Sequence, residues 1–111
     1  MVEPPHSVIV LDNFHFMDEA EETTITGFRS LDEAKEFARR LTRSSVEEFR
    51  GRSKDAEDHR NLWSMFGETC VVVGGDYSGS SELDFFISNP ATKAEVDWLS
   101  LQPPEASTVV E

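Results

Sequence analysis

Apolar and polar positions alternate over the first part of the chain in a way that predicts two strands. Residues 7–16, SVIVLDNFHF, begin apolar on both faces and continue with alternating aromatic residues, which is typical of a strand whose first half is buried on both sides. The acidic stretch MDEAEE interrupts this pattern, and we interpret it as a loop. The next segment, TTITGF from Thr23 to Phe28, then predicts the second strand of a hairpin.

A helical period follows the second predicted strand. Ser30 begins the capping box SLDE, in which its hydroxyl accepts a hydrogen bond from the amide of Glu33 while the Glu33 carboxylate reaches back. Apolar residues then recur every three to four positions as far as Gly51, which is expected to end the helix. A second, shorter helix is predicted across DAEDHRNLWSMF and is expected to end at Gly67.

The second half of the chain predicts two further strands and a closing helix. Residues 68–73, ETCVVV, form a strand by their β-branched content. Residues 82–88, ELDFFIS, alternate, so Phe85 is expected among the core-facing residues and Phe86 is expected to be partly exposed on the other face. In NPATKAEVDWLSL, asparagine is a suitable cap and proline occupies the first helical position, which predicts a helix of about three turns.

The predicted element order is β-β-α-α-β-β-α. This order indicates an α+β domain in which a mostly antiparallel four-stranded sheet packs against helices. With 111 residues, the chain is expected to form a single domain, 1–111, with an ordered core over about 7–101 and loose ends at 1–6 and 102–111.

Net charge is the unusual bulk property of this chain. It has 22 acidic and 10 basic residues, a formal net charge of −12. Nine of the bases and eight of the acids lie between Arg29 and Arg60, so that this segment carries +1 and the rest of the chain −13. Such a surface repels nucleic acids and anionic membranes and attracts a basic protein. The short apolar runs and the absence of a signal-peptide pattern predict a cytoplasmic protein without a membrane span.

The glycine-rich stretch VVVGGDYSGSS, from Val71 to Ser81, is close to the spacing of a phosphate-binding P-loop. A P-loop needs a lysine after its second glycine, where this chain has Ser80. It also needs a helix after the loop, where the sequence predicts a strand. Asp76 would in addition repel phosphate. We therefore interpret the stretch as a long β-hairpin loop.

Metal binding and catalysis are the remaining chemistries. Asp12, His15, Asp18 and Glu19 are competent ligand types, but Asp12 and His15 point to opposite faces of one strand, and the acidic run lacks EF-hand spacing. Cys70 lies in an apolar run and is expected to be a buried thiol, whereas a nucleophilic role would need a base such as His15 across the sheet. We therefore expect no metal, no cofactor and no catalytic residue.

Several motifs in the first half of the chain carry a resemblance to a known family. LDNFHFMDEAEE…GFRSLDEA followed by LWSMFGE resembles a family of small uncharacterised bacterial proteins, best known from proteobacteria, with the pattern D-N-[FY]-H-[FY]-M-D and a later aromatic-x-x-F-G-E turn. The likeness covers Asp12 to Glu68, and from Cys70 on the chain departs from the family pattern, in which D-P-F follows F-G-E. The resemblance implies a bacterial or phage-related cytoplasmic origin and brings no activity, cofactor or catalytic residue.

The charge distribution favours a non-enzymatic binding protein whose acidic surface engages a basic protein. In its sharper form, the protein mimics nucleic acid and inhibits a nuclease or defence complex, as anti-CRISPR proteins do. One alternative is a small enzyme or ligand-binding domain that uses His15, Cys70 or Asp12, and another is a structural module that forms a homodimer through an exposed strand edge. The candidate contacts of the leading hypothesis are Asp18, Glu19, Glu21, Glu22, Asp76, Glu82 and Asp84.

Overall fold

The protein is an α+β structure built on an antiparallel sheet. The computed structural model describes residues 6–12, 23–75, 77–102 and 108–110, with only the backbone of Asp12 and of residues 108–110. The strands are β1 (His6–Asp12), β2 (Thr23–Phe28), β3 (Glu68–Val72) and the short β4 (Thr108–Val110), in the spatial order β3-β1-β2-β4. The helices are α1 (Leu31–Glu48), α2 (Ala56–Phe66) and α3 (Leu83–Ser88). The predicted α+β class is confirmed.

The main core lies between one face of the sheet and α1. Val8 of the central strand β1 is paired with Ile25 of β2 on one side and with Val72 of β3 on the other, so that the three side chains share a face. All three are buried. Phe28 of β2 and Phe37 of α1 are also fully buried in this core, and their ring centroids lie 4.9 Å apart.

Both long helices begin at a side-chain cap, the first of them at the predicted capping box. The Ser30 hydroxyl accepts from the amide of Glu33 at 3.1 Å, and the Asp55 carboxylate accepts from the amide of Asp58 at 2.8 Å. The first helix ends at Glu48 and continues as a 3₁₀ turn, Arg50–Arg52, so it stops slightly before the predicted glycine. The predicted helices over these two segments are confirmed.

The outer edge of β3 is closed by hydrogen bonds from outside the sheet. The Ser45 hydroxyl of α1 accepts from the amide of Glu68 at 2.8 Å, and the Thr42 hydroxyl accepts from the amide of Cys70 at 3.1 Å. The amide of Val72 donates to a main-chain carbonyl of the following loop at 3.1 Å. The three outward amides of the strand are therefore paired, although no further strand lies beside them in the described part of the chain.

The predicted fourth strand over residues 82–88 is wrong, because this segment forms α3. A helical period places Leu83, Phe86 and Ile87 on the buried side, against a cluster that includes a tryptophan of α2. Phe86 is fully buried, whereas Phe85 is 49% exposed, the reverse of the exposure that the strand interpretation predicts. The six residues LDFFIS fit the strand period of 2 as well as the helix period of 3.6. Packing against the rest of the protein therefore determines that they form a helix.

The predicted closing helix is also wrong. Its segment forms two 3₁₀ turns, Ala94–Val96 and Leu99–Leu101. The turns are fixed on α1 by side chains: the Trp98 ring meets the Phe37 ring edge-on at 6.0 Å, and Arg40 Nη1 donates to the carbonyl of Asp97 at 3.1 Å. In a longer helix the Asp97 carbonyl would accept a hydrogen bond from a main-chain amide of the same helix, whereas here it accepts one from Arg40 of α1. The short strand β4 lies within the stretch 102–111 that the sequence assigned to a loose end.

Candidate functional site

One side of α1 carries the β3–α3 connection, which we define as residues 73–82 without Asp76. Lys35, Arg39 and Thr42 lie on successive turns of that side. The ammonium nitrogen of Lys35 lies 5.6 Å from the centroid of the Tyr77 ring, which is within cation–π range. Thr42 contacts Gly79 further along the same side. The helix thus positions the whole connection and, through it, α3.

Glu82, one of the predicted partner contacts, is held inside this arrangement. Arg39 Nε lies 3.0 and 3.1 Å from its two carboxylate oxygens, and the Tyr77 hydroxyl donates to it at 2.5 Å. The Glu82 side chain is 28% exposed. Burial, and then the bond to the Glu82 carboxylate, raises the pKa of Tyr77. Glu82 therefore fixes the connection to α1.

Asp84, the other predicted contact within the described residues, faces solvent. Its side chain is 75% exposed and pairs with Arg60 of α2, which is itself about half exposed. An exposed pair of this kind contributes at most about 1 kcal/mol and is easily exchanged for another partner. Asp84 is therefore available to a partner in a way that Glu82 is not. The other predicted contacts lie outside the described residues: Asp18, Glu19, Glu21, Glu22 and Asp76.

Arginine side chains form the ion pairs of this fold, which we call arginine clamps, and some of them hold the segment after β3, a role that the sequence analysis missed. Each of the five ion pairs within the described residues joins an arginine to a carboxylate. Three of these arginines also donate to main-chain carbonyls of the segment that follows β3. The pairs are Arg39–Glu82, Arg40–Glu36, Arg43–Glu95, Arg50–Glu47 and Arg60–Asp84.

The two signs of charge are unevenly distributed along the sequence. Nine of the ten bases lie between Arg29 and Arg60, whereas residues 1–28 contain six acids and no base. Five of the ten bases form the five ion pairs among the described residues. The first 28 residues therefore carry a charge of −6 with no base in their own sequence.

Arg43 is the most buried of the clamps. Its side chain is only 3% exposed, with Nη1 3.1 Å from a Glu95 carboxylate oxygen and Nη2 2.8 Å from the carbonyl of Asn89. The guanidinium carbon lies 5.5 and 5.3 Å from the ring centroids of Phe85 and Phe86. This arrangement ties α3 and the segment after it to α1.

Cys70 is a buried thiol, as the sequence predicts. It is fully inaccessible, and burial raises its pKa to about 12. A protonated, inaccessible thiol cannot act as a nucleophile. The histidine considered as its base, His15, lies outside the described residues.

The other candidate ligand and base groups do not converge within the described chain. His59 is buried, and its Nε2 lies 2.7 Å from the carbonyl of Val46, so that this nitrogen carries the donated proton. Within the described ranges, no three His, Cys, Asp or Glu side chains are grouped so that they could hold a metal ion. Of the four ligand types proposed from the sequence, His15, Asp18 and Glu19 fall outside these ranges, as does the side chain of Asp12.

We expect native Cys70 to resist iodoacetamide at about pH 8, with alkylation at least about 100-fold slower than in the urea-unfolded chain. The pKa of Cys70 is higher in the folded chain than in the unfolded chain. Between these two pKa values the unfolded chain loses the thiol proton and the folded chain keeps it, which favours unfolding. The free energy of unfolding should therefore decrease as pH rises above the unfolded pKa, by about 2 kcal/mol between pH 8 and pH 10. Mass spectrometry of the alkylated protein and urea melts at both pH values measure these effects. A Cys70→Ala variant should lose most of this decrease, and rapid labelling of the native thiol would contradict the prediction.

The glycine-rich stretch has a packing role. It continues through a 3₁₀ turn, Gly79–Glu82, into α3, so the predicted hairpin loop is wrong. A Cβ atom on Gly79 would lie 2.1 Å from the Thr42 hydroxyl oxygen, and the amide of Ser80 already donates to the Thr69 hydroxyl at 3.1 Å. The second glycine therefore allows the chain to approach α1 closely.

A cleft of about 280 Å³ opens between the first turns of α1 and the β3–α3 connection. We call it the Lys35 cleft. It combines apolar side chains, one carboxylate and one ammonium group. Its lining residues are Leu31, Asp32, Lys35, Val72, Gly75 and Tyr77.

Comparison with protein-family models, with curated proteins and with solved structures finds no match. The family resemblance of the first half of the chain therefore stays a prediction. None of the described helices combines the length and the apolar content that a bilayer crossing requires.

Proposed function

We propose that the protein is a small, non-enzymatic binding protein whose acidic stretches engage a basic protein surface. The observation that supports the proposal is the uneven distribution of charge: half of the bases are engaged in arginine clamps, while residues 1–28 contain six acids and no base. A basic partner would meet an acidic stretch with no lysine or arginine in its own sequence. Association of this kind is fast and weakens steeply as salt rises.

The sharper form of the proposal is a cytoplasmic mimic of nucleic acid. A nuclease or defence complex presents a groove lined by Lys and Arg for a phosphate backbone, and closely spaced carboxylates offer it the same sign of charge. The protein would then inhibit such an enzyme by occupying the groove. Competing DNA should displace it.

The capped outer edge of β3 weighs against the alternative of a self-associating module. Because Ser45, Thr42 and the loop carbonyl already pair the outward amides, a second chain cannot add a strand at that edge without breaking these bonds. Self-association by strand addition would therefore have to use the other edge strand of the sheet, β4.

Charge reversal in the acidic stretch tests the proposal. We expect the quadruple variant Asp18→Lys, Glu19→Lys, Glu21→Lys and Glu22→Lys to lose at least about tenfold in association rate with the partner, because favourable steering becomes repulsion. The partner is first captured from bacterial lysate at low and high salt, with and without competing DNA. Binding to the purified partner is then measured over a salt series, with circular dichroism to verify the fold.

A matched control separates a local site from net charge. The variant Glu48→Lys, Glu57→Lys, Glu105→Lys and Glu111→Lys changes the total charge by the same amount outside residues 1–28, and its two described residues, Glu48 and Glu57, are exposed. It should retain most of the association rate. Equal losses in both variants would replace the local site by a general effect of net charge, and unchanged binding by the first variant would overturn the proposal.

A further inference from the structure

We propose that the Lys35 cleft binds a zwitterionic ligand of amino-acid size with an apolar side chain. This inference is independent of the acidic stretches, because it depends only on residues of α1, β3 and the β3–α3 connection. It adds a small-molecule site to a protein proposed above to bind a macromolecule.

Two opposite charges, Asp32 and Lys35, lie at the cleft without an ion-pair partner among the described residues. Asp32 and Lys35 are both exposed, and neither takes part in an ion pair with another described residue. They are three positions apart on α1, so their side chains leave the same side of the helix. The Lys35 ammonium is positioned by the Tyr77 ring. A ligand carboxylate would pair with Lys35, and a ligand ammonium group would pair with Asp32.

An apolar surface lies beside the two charges. Leu31 is 41% exposed although it begins a buried helix, and it lines the cleft together with Val72. Tyr77 presents a ring whose position is fixed by the bond from its hydroxyl to Glu82. An aliphatic or aromatic side chain would bury this surface and the exposed part of Leu31.

The space between these side chains depends on Gly75. A Cβ atom there would lie 3.3 Å from Val72 Cγ1 and 3.7 Å from Leu31 Cδ2, so a side chain at this position would narrow the cleft. The volume of about 280 Å³ accommodates on the order of ten non-hydrogen atoms, at about 30 Å³ for each water-sized group. Free leucine is close to this size and carries both charges.

Titration of the ¹⁵N-labelled full chain with L-leucine, followed by NMR, tests the proposal. We expect saturable amide shifts in the first turns of α1 and in the β3–α3 connection, with a Kd of about 1 mM for so small a ligand in an open cleft. The analogues 4-methylpentanoate and isopentylamine each lack one charge and should bind about tenfold more weakly. Binding of either analogue as tightly as leucine, or no saturable shift at about 20 mM leucine, would overturn the proposal.

Variants of the cleft give the second part of the test. Gly75→Ala keeps both charges but narrows the cleft beside Val72 and Leu31, so leucine binding should weaken while the fold is retained. In Gly51→Ala the added methyl group meets no atom within 4 Å, and binding should be unchanged. Lys35→Gln and Asp32→Asn should each weaken binding about tenfold. Undiminished binding by Gly75→Ala would rule out this cleft as the site.

The two proposals fail independently. The chain with Lys at positions 18, 19, 21 and 22 should bind leucine like the wild type, because the described lining of the Lys35 cleft belongs to α1, β3 and the β3–α3 connection. If that variant loses its protein partner and keeps leucine binding, both proposals stand. If it keeps its partner, only the proposed function is lost.

Discussion

Replacement of Gly79 by alanine should destabilise the protein by about 3 kcal/mol, because the added methyl group has no space. Its Cβ would lie 2.1, 2.5 and 2.6 Å from three side-chain atoms of Thr42. Thr42 is fully buried, and its hydroxyl accepts the amide hydrogen of Cys70, so it cannot move away without leaving that amide unpaired. The cost combines overpacking, about 1–3 kcal/mol, with the loss of a buried hydrogen bond, about 1 kcal/mol.

Urea unfolding of Gly79→Ala and Gly51→Ala measures the effect with a matched control. Neither glycine has a positive φ, so the two substitutions differ only in the space around the new methyl group. Gly51→Ala should change the free energy of unfolding by less than about 1 kcal/mol and can increase it, because alanine restricts the unfolded chain. Equal stability of Gly79→Ala and Gly51→Ala would contradict the close approach of Gly79 to Thr42 of α1.

Replacement of Arg43 by alanine should also cost about 3 kcal/mol. The substitution removes a charged donor from the carbonyl of Asn89, an ion pair with Glu95 and two ring contacts, and it leaves a space where the buried stem of the side chain lay. Since Arg43 joins α1 to α3 and to the segment after it, tryptophan fluorescence should report loosening of that region before the sheet unfolds.

Arg60→Ala is the matched control for Arg43→Ala. It removes the same side chain from the same type of ion pair, but both Arg60 and Asp84 are exposed. We expect a loss of at most about 1 kcal/mol. Chemical denaturation of both variants measures their free energies of unfolding. Equal losses would show that the burial of Arg43 does not contribute to stability. Arg43→Lys should fall between them, since it keeps the charge without the planar fork that reaches two partners.

Local signals were sufficient to predict the first two thirds of the fold. The caps Ser30 and Asp55 and the helical spacing of apolar residues specify α1 and α2, and β-branched runs specify β1 and β3. The six residues of α3 carry no such signal, because LDFFIS satisfies a period of 2 as well as one of 3.6. Its packing against α2 and Arg43 determines the outcome, and those contacts come from residues more than 20 positions away.

The candidate sites, like the fold, could be predicted from the sequence only in part. The sequence gives the total charge and its segregation, but Arg43 and Arg60 cannot be distinguished in it, because their burial depends on where α3 and residues 89–95 pack. For the same reason the sequence predicted Glu82 and Asp84 as equivalent contacts, whereas one is internal and the other is open to solvent. The Lys35 cleft joins α1 to a loop about 40 residues later in the chain and has no linear pattern from which to predict it.

The hydroxyl caps on the outer edge of β3 make α1 a barrier to aggregation. Natural edge strands are commonly protected by charges, prolines or bulges that stay with the strand when other parts of the protein move. Here the protection belongs to Thr42 and Ser45 on a neighbouring helix, and the protected segment, ETCVVV, is β-branched and carries one charge. A fluctuation that lifts α1 therefore uncovers a row of amides suited to cross-β growth. The time that the protein remains soluble would then be governed by how rarely the helix opens rather than by the overall free energy of unfolding.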